Sequence, residues 1–494
     1  MKTNNSDYFK KRLINEAFKF HSEGKISEAT KCYQHFINLG FQDQRLFYNY
    51  AVLLNSLGKL PEAESLYRKA IEINPDFVQA YYNLGLILKS LGKLKEAELS
   101  YRKAIEIKPN LAEAHLNLGV TLKDLGKLPE AELSYRKAIE IKPNYAEAHS
   151  NLGTMLKDLG KLPEAELLYR KAIEIKPNYA EAHSNLGTIL KDLGKLPEAE
   201  LSTCKAIEIK PDFAEAYSNL GTILKDLGKL LEAELLYRKA IEIKPDWQTY
   251  FLYASCIFQR KEFEVVTNTL LEAQSLNLEN HQKANINAAM KATTIAKNNS
   301  IFSTNLNISR ESKSLINKSK NKLVLNRQSG DELIKYLYSV NNRELSNTID
   351  ARYGKGFCSQ DLYFFDDQSP IISNLSDDLQ QICKEALGLT EIFICESFFN
   401  IFKSGSSAGA KHHNHIGTRD SCFGLAFNKY SLIYYLEIGD QIGEDPGILK
   451  LYEPYEEILP TNDMLIIIGA ERNHSVSYFG NKDRVVISAN FYGF

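Results

Sequence analysis

The chain has 494 residues, of which 25% are charged, and its formal net charge at pH 7 is −2. This length leaves room for two to four domains. Because positive and negative charges nearly cancel, the protein has no overall charge that would attract nucleic acid or a membrane surface. The seven cysteines include no CxxC pair, and the chain lacks a run of about 20 apolar residues that could span a bilayer. We therefore expect a cytoplasmic protein with reduced thiols.

More than half of the chain consists of one repeated phrase. A sequence close to NLGTxLKDLGKLPEAELxYRKAIEIKPN recurs every 34 residues, and Pro109, Pro143 and Pro177 mark the end of three successive copies. Within each copy, apolar residues return at helical spacing in two stretches, and the proline ends the second stretch. Each copy therefore predicts two helices.

This period and pattern resemble the tetratricopeptide repeat. The resemblance implies an all-α solenoid of antiparallel helix pairs. Eight copies begin near residues 10, 44, 78, 112, 146, 180, 214 and 248. We expect the solenoid over residues 10–281, with its best match over 44–247, after an N-terminal extension of residues 1–9. In the copy that begins at Ala146, the family's positions are filled by His149, Leu152, Gly153, Ala165, Tyr169, Ala172 and Pro177.

Asparagine recurs at the sixth position of the copies, on one face of the first helix. A carboxamide donates to and accepts from a peptide unit at once, so a ladder of them could hold an extended protein or peptide partner in the concave groove. A similar ladder occurs in the repeat arm of O-linked N-acetylglucosamine transferases. The alternative is that each asparagine bonds within its own repeat. The groove candidates are Asn83, Asn117, Asn151, Asn185 and Asn219.

Two other recurring features of the copies have structural interpretations. His115, His149 and His183 occupy a slot that aromatic residues fill in sister copies, so we interpret them as packing residues. Lysines line the neighbouring rim, but an aspartate follows most of them, as Asp124 follows Lys123. A strongly acidic ligand is therefore not implied.

The period stops near residue 281, and a basic segment follows. Residues 282–330 contain nine Lys or Arg against the single acid Glu311. The first part of this segment is predicted to be a helix that caps the solenoid. The remainder has too little apolar content to pack, so we expect a basic flexible linker, a solvated tether that does not fix the geometry of the next domain.

Residues 331–494 are predicted to form a separate, mainly-β domain with flanking helices. Ser329 and Glu332 form a capping-box pattern ahead of one helix, and Ser376 is expected to start a second one. Segments rich in Ile, Val, Tyr and Phe then follow one another, separated by turn residues. Such an order favours a jelly roll, also called a double-stranded β-helix. The predicted strands lie in residues 391–403, 429–438, 447–453, 463–469, 474–479 and 483–492.

The stretch KHHNHIG at 411–417 places three of the ten histidines within four positions. Downstream, His474 begins the next-to-last strand and Arg484 follows ten residues later. This order, together with the phrases SFFNIFK, YSLIYYL and RVVISANF, resembles the 2-oxoglutarate and Fe(II)-dependent oxygenases, in particular uncharacterised members fused to tetratricopeptide repeats. The resemblance covers about 395–494 well and 331–394 loosely.

The resemblance implies an iron site whose metal-binding and catalytic residues are His413, His415 and His474. Two ligands separated by one residue in an extended segment lie about 7 Å apart at Cα and point the same way, so they can meet one metal together with a third from another strand. Most of the superfamily has Asp or Glu where this chain has His415. The alternatives are that His415 only supports a ligand, that His412 and Asn414 are used instead, or that the histidines form a metal site without turnover or a purely structural cluster.

Arg484 is expected to bind the far carboxylate of 2-oxoglutarate in bidentate fashion. A three-residue hairpin loop, Gly480 to Lys482, would pair Tyr478 with Arg484 and make Arg484 and His474 face inward together. Ser488 and Asn490 would share that face as further polar groups for binding the cosubstrate. The alternative is that Arg484 pairs with Asp483 or another acid at the hairpin end.

The sequence as a whole therefore predicts a dioxygenase that uses Fe(II) and 2-oxoglutarate and recruits a protein or peptide through its repeats, with no nucleic acid or membrane partner. The alternative is a non-catalytic repeat scaffold for protein–protein interaction with an inert or metal-only jelly roll. A glycosyltransferase-associated repeat protein is disfavoured, because the C-terminal segments read as strand after strand rather than as β-α-β units.

Overall fold

The computed structural model describes residues 2–305, 322–340, 342–345, 356–359, 363–402, 415, 418–440, 446–478 and 482–494. It divides into two compact units, Met1–Pro177 and Asn178–Phe494. The division falls within the repeats, so the second unit contains the last repeats together with the β-sheets. The two units are described separately below.

The first unit consists of ten helices in five antiparallel pairs, one pair for each predicted copy. Proline in the first helical turn, as at Pro129, starts many of the second helices because it lacks only an amide hydrogen that would be unsatisfied there. Helix α1 begins inside the segment predicted as an extension, because no proline or glycine interrupts it before Ser22. The helices are α1 Lys2–Ser22, α2 Ile26–Asn38, α3 Gln44–Ser56, α4 Leu60–Ile73, α5 Val78–Ser90, α6 Leu94–Ile107, α7 Ala112–Asp124, α8 Leu128–Ile141, α9 Ala146–Asp158 and α10 Leu162–Ile175.

A glycine and a tyrosine set the closest approach within these helix pairs. A Cβ atom on Gly85 would lie 2.6 Å from the ring of Tyr101, and one on Gly153 would lie 3.3 Å from the ring of Tyr169. Both tyrosines are completely buried. A small residue is therefore required at Gly85, where the ring of the partner helix packs directly on the backbone, whereas Gly153 leaves slightly more room.

The second unit begins with three more helix pairs and a long helix, α17. A helix is present where the capping helix is predicted, and α17 buries Ile286, Ala288 and Ala289 completely. It begins at Asn280, two residues before the predicted linker region of residues 282–330, and covers that region up to Asn305. Residues 306–321 lie outside the described part of the chain. The helices are α11 Ala180–Asp192, α12 Leu196–Ile209, α13 Ala214–Asp226, α14 Leu230–Ile243, α15 Trp247–Gln259, α16 Phe263–Gln274 and α17 Asn280–Asn305.

Both helices predicted after the linker are present, as α18 (Asp331–Ser339) and α19 (Pro370–Leu387), but their predicted starts are wrong. Gly330 precedes α18, and the Ser329 hydroxyl instead donates to Asp463 at 2.6 Å. The Ser329 side chain therefore binds the Asp463 carboxylate instead of capping the helix. Helix α19 begins at Pro370, a residue suited to a first helical turn, so Ser376 lies buried inside it.

Within the described residues, ten strands form two sheets, and every pairing between these strands is antiparallel. The larger sheet has the order β1-β8-β5-β10-β4-β3-β2, and the smaller one has the order β7-β6-β9. All six predicted strands are present. Leu323–Asn326 pairs with β8, so the last part of the predicted linker is a strand. The strands are β1 Leu323–Asn326, β2 Asn342–Leu345, β3 Gly356–Ser359, β4 Ile392–Phe402, β5 Lys429–Glu437, β6 Pro446–Leu451, β7 Glu456–Ile458, β8 Met464–Gly469, β9 His474–Tyr478 and β10 Arg484–Gly493.

The seven-stranded sheet has an apolar core on each face. On one face, Leu337 of α18 and Ile372 and Leu379 of α19 cover the sheet. On the other face, residues such as Tyr435 of β5 pack against Leu449 of β6 in the smaller sheet. The two sheets therefore face each other, and the nearly continuous burial along β5 and β10 fits a sheet that is covered on both faces.

The predicted pairing of the last two strands is wrong. β9 pairs with β6 in the smaller sheet, whereas β10 lies between β4 and β5 in the larger one. The chain crosses from one sheet to the other between Tyr478 and Arg484 instead of making a two-stranded hairpin. Alternation along each strand determines which residues point inward, but it does not determine which strands are neighbours.

The last repeats and the β-sheets share one core within the second unit. The ring of Phe423, from the 3₁₀ segment Thr418–Asn428, lies 5.2 Å from Phe251 and 5.1 Å from Phe258, measured between ring centres. Phe423 adopts a positive φ of 56°, an uncommon conformation for a bulky residue. The expectation of a tether that leaves the β domain free is therefore wrong for these repeats.

A buried ion pair reinforces the same core. Lys429 and Asp420 approach to 2.9 Å, and their side chains are only 5% and 2% exposed. The hydroxyl of Tyr492 donates to Asp420 at 2.6 Å and lies 3.2 Å from the side-chain oxygen of Asn285 on α17. Because buried charges are tolerated only when they are paired and hydrogen-bonded, this cluster holds α17 against the sheet.

Candidate functional site

Two histidines from separate parts of the sequence meet in the interior between the sheets. The ring centres of His415 and His474 are 5.0 Å apart, and both residues are buried. The backbone amide of His415 donates to the carbonyl of Ala470 at 2.9 Å, which holds His415 beside the end of β8. The Nδ1 atom of His474 lies 3.2 Å from the carbonyl oxygen of Arg472. A bond of this kind orients an imidazole so that Nε2 is left to bind a ligand.

Arg484 lies at the other end of the same cavity and is completely buried. Its Nη1 donates to the carbonyl of Gly447 at 2.8 Å and its Nε donates to the carbonyl of Ile438 at 3.1 Å. Burial lowers the pKa of this guanidinium from its ordinary value, and the rings of Tyr435 and Tyr478 act in the opposite direction. Asp483, the predicted alternative partner, accepts a hydrogen bond from the Tyr338 hydroxyl at 2.9 Å.

The polar residues predicted on β10 line this cavity as well. Ser488 and Asn490 lie on its wall with His415, His474 and Arg484, so the structure brings together every described residue of the predicted oxygenase site. The remaining wall is largely apolar and includes Phe398, Leu432 and Leu449. The free space measures about 40 Å³, enough for a few atoms. A larger ligand therefore requires side chains at the wall to move.

Part of the predicted metal site lies outside the described residues. His412, His413 and Asn414 belong to this part of the chain, so the structure does not test their roles. Among the residues that the structure describes, no group of three or more His, Cys, Asp or Glu side chains is arranged to hold a metal ion. His415 and His474 supply two nitrogen donors to one cavity, which fits a transition metal in chemical type.

The predicted asparagine ladder is half-buried on the first helices of the repeats, and its members differ in their hydrogen bonds. Asn83 donates to the Tyr48 hydroxyl at 3.0 Å, and Asn117 donates to the Tyr82 hydroxyl at 3.1 Å. These bonds join adjacent repeats, and Asn117 also donates to the carbonyl of Glu113 in its own helix at 2.9 Å. The side chains of Asn151 and Asn185 make no hydrogen bond to another described residue.

Lysines and aspartates on the first helices pair across neighbouring repeats. Lys123 and Asp158 approach to 2.8 Å, and Lys89 and Asp124 approach to 3.7 Å. The rim therefore carries compensated charge, as its sequence indicates. The three histidines of the repeats lie in their aromatic slots, where the Nε2 of His149 lies 2.9 Å from the carbonyl oxygen of Pro143.

In the second unit the same helix face lines a larger cavity, of about 380 Å³. Asn219, the last member of the ladder, lies on its wall and donates to the Ser184 hydroxyl at 3.1 Å. Gln248 of α15 lies on the wall too, and Cys422 of the 3₁₀ segment closes one side. The face of the first helices is thus polar and open to a ligand at this point.

The family models settle the nature of the helix pairs. A model described as TPR repeat matches residues 52–92, 85–126, 121–160 and 153–194. Models described as tetratricopeptide repeat match residues 180–213 and 214–246. Residues 52–246 are tetratricopeptide repeats.

Several solved structures are similar to part of this chain. YrrB, described as a TPR protein with an unusual peptide-binding site, is 27% identical with a TM-score of 0.33, and the match covers 40% of this chain and 97% of YrrB. The MamA protein is 29% identical with a TM-score of 0.31, covering 34% and 91%. A tetratricopeptide repeat protein from Parabacteroides merdae is 22% identical with a TM-score of 0.43, covering 51% and 98%.

Two further findings bear on the kind of protein. No curated protein matches the chain significantly. None of the described helices combines the length and the apolar character needed to cross a membrane.

Sequence reasoning missed several residues that shape the cavity. The ring centre of Tyr435 lies 5.9 Å from the guanidinium carbon of Arg484. Tyr478, which the sequence does place beside Arg484, lies 4.3 Å from the same carbon. Glu396 of β4 accepts a hydrogen bond from Asn490 at 2.6 Å. Its position opposite Asn490 in the β4–β10 pairing is a signal only when the strand register is known. No sequence pattern within the tetratricopeptide repeats indicates that they contact Phe423.

Proposed function

We propose that the tetratricopeptide repeats of this chain are a scaffold that recruits a protein or peptide partner. The supporting observation is the polar face of the first helices, with half-buried carboxamides at the same position of successive repeats. Asn151 and Asn185 keep their hydrogen-bonding capacity for a ligand. A carboxamide with both groups available pairs well with a peptide unit. The partner is therefore expected to bind in extended form.

Photo-crosslinking with a peptide selected by display on the full chain tests this proposal. A photoreactive residue at Gln248, on the wall of the 380 Å³ cavity, is expected to crosslink to the peptide. The matched control is Leu201, which is 72% exposed on a second helix of the same unit. Crosslinks at Leu201 and none at Gln248 would assign the binding surface to the second helices and contradict the proposal.

We further propose that the facing sheets are a jelly roll whose interior cavity binds Fe(II) and 2-oxoglutarate, so that the chain is a dioxygenase. The observation that favours this second function is the meeting of His415, His474, Arg484, Ser488 and Asn490 at one cavity. These residues come from a loop and two strands of different sheets. These polar residues are therefore not close together merely because they belong to one polar turn.

Each residue then has a defined role. His415 and His474, with His413 from outside the described residues, would hold the metal. Iron bound with the diacid and oxygen supplies oxidising power that is coupled to decarboxylation of 2-oxoglutarate. Arg484 binds the far carboxylate, for which a planar guanidinium is well suited. The carbonyl of Arg472 orients the ring of His474.

The apolar wall has a role in the same proposal. Phe398, Leu432 and Leu449 exclude water from the reacting end of the cavity and strengthen the interaction between Arg484 and a carboxylate. A five-carbon diacid exceeds the present free space of about 40 Å³, so its binding has to displace side chains around Arg484. We expect the rings of Tyr435 and Tyr478 to move, because they lie directly against the guanidinium.

Succinate formation is the direct test of this second function. The full chain is incubated in air with Fe(II), 2-oxoglutarate and a peptide selected on the repeats. The full chain is required because α17 and Phe423 share a core with the sheets. Succinate above the level of a His474→Ala control is expected. No succinate with any selected peptide, and no binding of 2-oxoglutarate, would leave recruitment by the repeats as the only function.

A further inference from the structure

A second cavity, of about 250 Å³ and open to solvent on one side, lies in the second unit between α17, α19 and the start of β4. This space is several times that of the histidine cavity. It is lined by amides and charged groups as well as by aromatic rings. The polar residues used below are Asn280, His281, Lys283, Asp366, Gln380 and Glu396.

One hydrogen-bonded pair forms a wall that the two cavities share. Asn490 lines the histidine cavity, and its Nδ2 donates to Glu396 at 2.6 Å. Glu396 lines the second cavity. On its other side, Asn490 accepts a hydrogen bond from the Ser431 hydroxyl at 2.6 Å. The pairing of β4 with β10 and of β10 with β5 places these three residues in one row across the sheet.

The second cavity is lined by two carboxylates and by one lysine. Glu396 is half-buried, and the carboxylate of Asp366 is 31% exposed, whereas Lys283 is exposed and its charge is solvated. The second carboxylate oxygen of Glu396 has no hydrogen-bond partner among the described residues. A partly buried carboxylate in this state is suited to accept from a charged donor.

A buried histidine points to the same kind of ligand. The His281 ring stacks on Tyr363 with 3.5 Å between ring centres, and its side chain is 9% exposed. Its Nδ1 makes no hydrogen bond to a described residue, although the carboxylates of Glu279 and Asp366 lie 3.3 and 3.7 Å away. Because these two carboxylates favour the tautomer with the proton on Nδ1, Nε2 is the ring nitrogen that can accept from a ligand with N–H groups.

We propose that the second cavity binds the cationic end of a basic side chain, an ammonium or a guanidinium, with Glu396 as the principal carboxylate. Asp366 adds charge, and the amides of Asn280 and Gln380 accept remaining donors. The aliphatic stem of such a side chain packs against the His281–Tyr363 stack. The proposal deepens the proposed dioxygenase function, since the shared wall would place this side chain beside the reacting cavity. Binding itself requires neither metal nor 2-oxoglutarate.

The test is a binding titration on the full chain without added metal or 2-oxoglutarate. The probes are Nα-acetyl-lysine amide and Nα-acetyl-arginine amide, with Nα-acetyl-glutamine amide as the uncharged probe of similar size. At least one cationic probe is expected to bind, and the affinity of the better one distinguishes an ammonium from a guanidinium site. Glu396→Gln should weaken that affinity roughly tenfold, because a charge-assisted hydrogen bond becomes a neutral one. Asp366→Asn should weaken it less.

Glu391→Gln is the matched control, since Glu391 precedes the same strand and pairs with Lys291 at 2.9 Å instead of lining the cavity. Its affinity is expected to equal that of the wild type. Equal binding of the glutamine probe, or unchanged affinity in both Glu396→Gln and Asp366→Asn, would overturn the proposal. If Glu396→Gln melts early, Asp366→Asn decides the outcome. Because iron is absent from this titration, its result is independent of whether the histidine cavity binds iron.

Discussion

The guanidinium carbon of Arg484 lies 4.3 Å from the centre of the Tyr478 ring, although the two residues belong to strands of different sheets. The contact crosses the interior between β10 and β9. Tyr478 lies four residues along β9 from His474, a distance of roughly 13 Å in a strand. A metal bond, a five-carbon diacid and an arginine side chain span such a gap. The sequence predicts that Arg484 lies beside Tyr478 across a hairpin. The two residues are indeed neighbours, but they meet across two facing sheets instead of within a hairpin.

His474→Ala is expected to abolish stoichiometric Fe(II) binding while the repeats stay folded. Removing one of three protein ligands should weaken the free energy of metal binding by roughly several kcal/mol. His413→Ala should behave in the same way. Anaerobic iron titration and circular dichroism measure the two properties. The control is His183→Tyr, which places in one repeat the residue found in a sister repeat. Wild-type iron binding by His474→Ala would show that the site is wrong.

The asparagine ladder allows a matched comparison between two double variants. Asn151→Ala with Asn185→Ala should weaken binding of a selected peptide and change the free energy of unfolding by less than about 0.5 kcal/mol. Asn83→Ala with Asn117→Ala should lower that free energy by roughly 1–3 kcal/mol, because hydrogen bonds to Tyr48 and Tyr82 are lost. Urea denaturation and fluorescence anisotropy measure the two effects. Unchanged peptide affinity in the first variant would favour a purely structural ladder.

The repeats could be predicted almost completely because their information is local. A recurring glycine, tyrosine and proline specify each helix pair, and eight pairs are present where eight copies are expected. The six strands with alternating or continuous apolar residues were also recognised. Strands β2, β3 and β7 have only 4, 4 and 3 residues, too few for a periodic pattern to show.

The site was predictable only along single strands. Arg484, Ser488 and Asn490 occupy alternate positions of β10, so one period-two pattern indicates that they share a face. Their neighbours across the sheet depend on long-range pairing that no local pattern encodes. Glu396 and Tyr435 were missed for this reason. The contact between Phe423 and Phe251 was missed because it joins two residues that are far apart in the sequence, one in the β domain and one in a repeat helix.

Alanine substitutions at two glycines should have different effects on stability. In Gly85→Ala, the new methyl group would lie 2.6 Å from the Tyr101 ring, so overpacking should lower the free energy of unfolding by roughly 1–3 kcal/mol. In Gly153→Ala, the closest atom is 3.3 Å away, and the helix propensity of alanine, about 1 kcal/mol better than that of glycine, offsets the crowding. Chemical denaturation should therefore show a loss in the first variant and little change in the second. Equal losses would contradict the packing account.

Asp420→Asn should destabilise the second unit by roughly 3–5 kcal/mol, because it leaves Lys429 buried without its carboxylate. The double variant Asp420→Asn with Lys429→Met should recover most of the loss. Denaturation of both variants and of Lys429→Met alone completes a double-mutant cycle. Additive losses would mean that the pair is not coupled.

The same pair predicts a loss of stability at high pH. Burial by itself lowers the pKa of Lys429, but Cys395, Asp420 and Glu396 outweigh it and raise the pKa above its ordinary value. A raised lysine pKa contributes stability below the unfolded value of 10.5, and that stability disappears as the pH rises through the folded value. Melting temperatures of the wild type and the double variant should change in parallel up to about pH 10, and above that pH the wild type should fall more steeply.

The most direct test of the dioxygenase account is an anaerobic titration of 2-oxoglutarate into the iron-loaded full chain, comparing wild type with Arg484→Lys. Lysine keeps the charge but loses the planar fork, so the affinity for 2-oxoglutarate should fall roughly 10- to 100-fold while iron binding stays the same. The charge-transfer absorption of the bound diacid follows the titration, and iron content is measured on the same samples. Identical titration curves for the two proteins, at equal iron content, would contradict the assignment of the cavity.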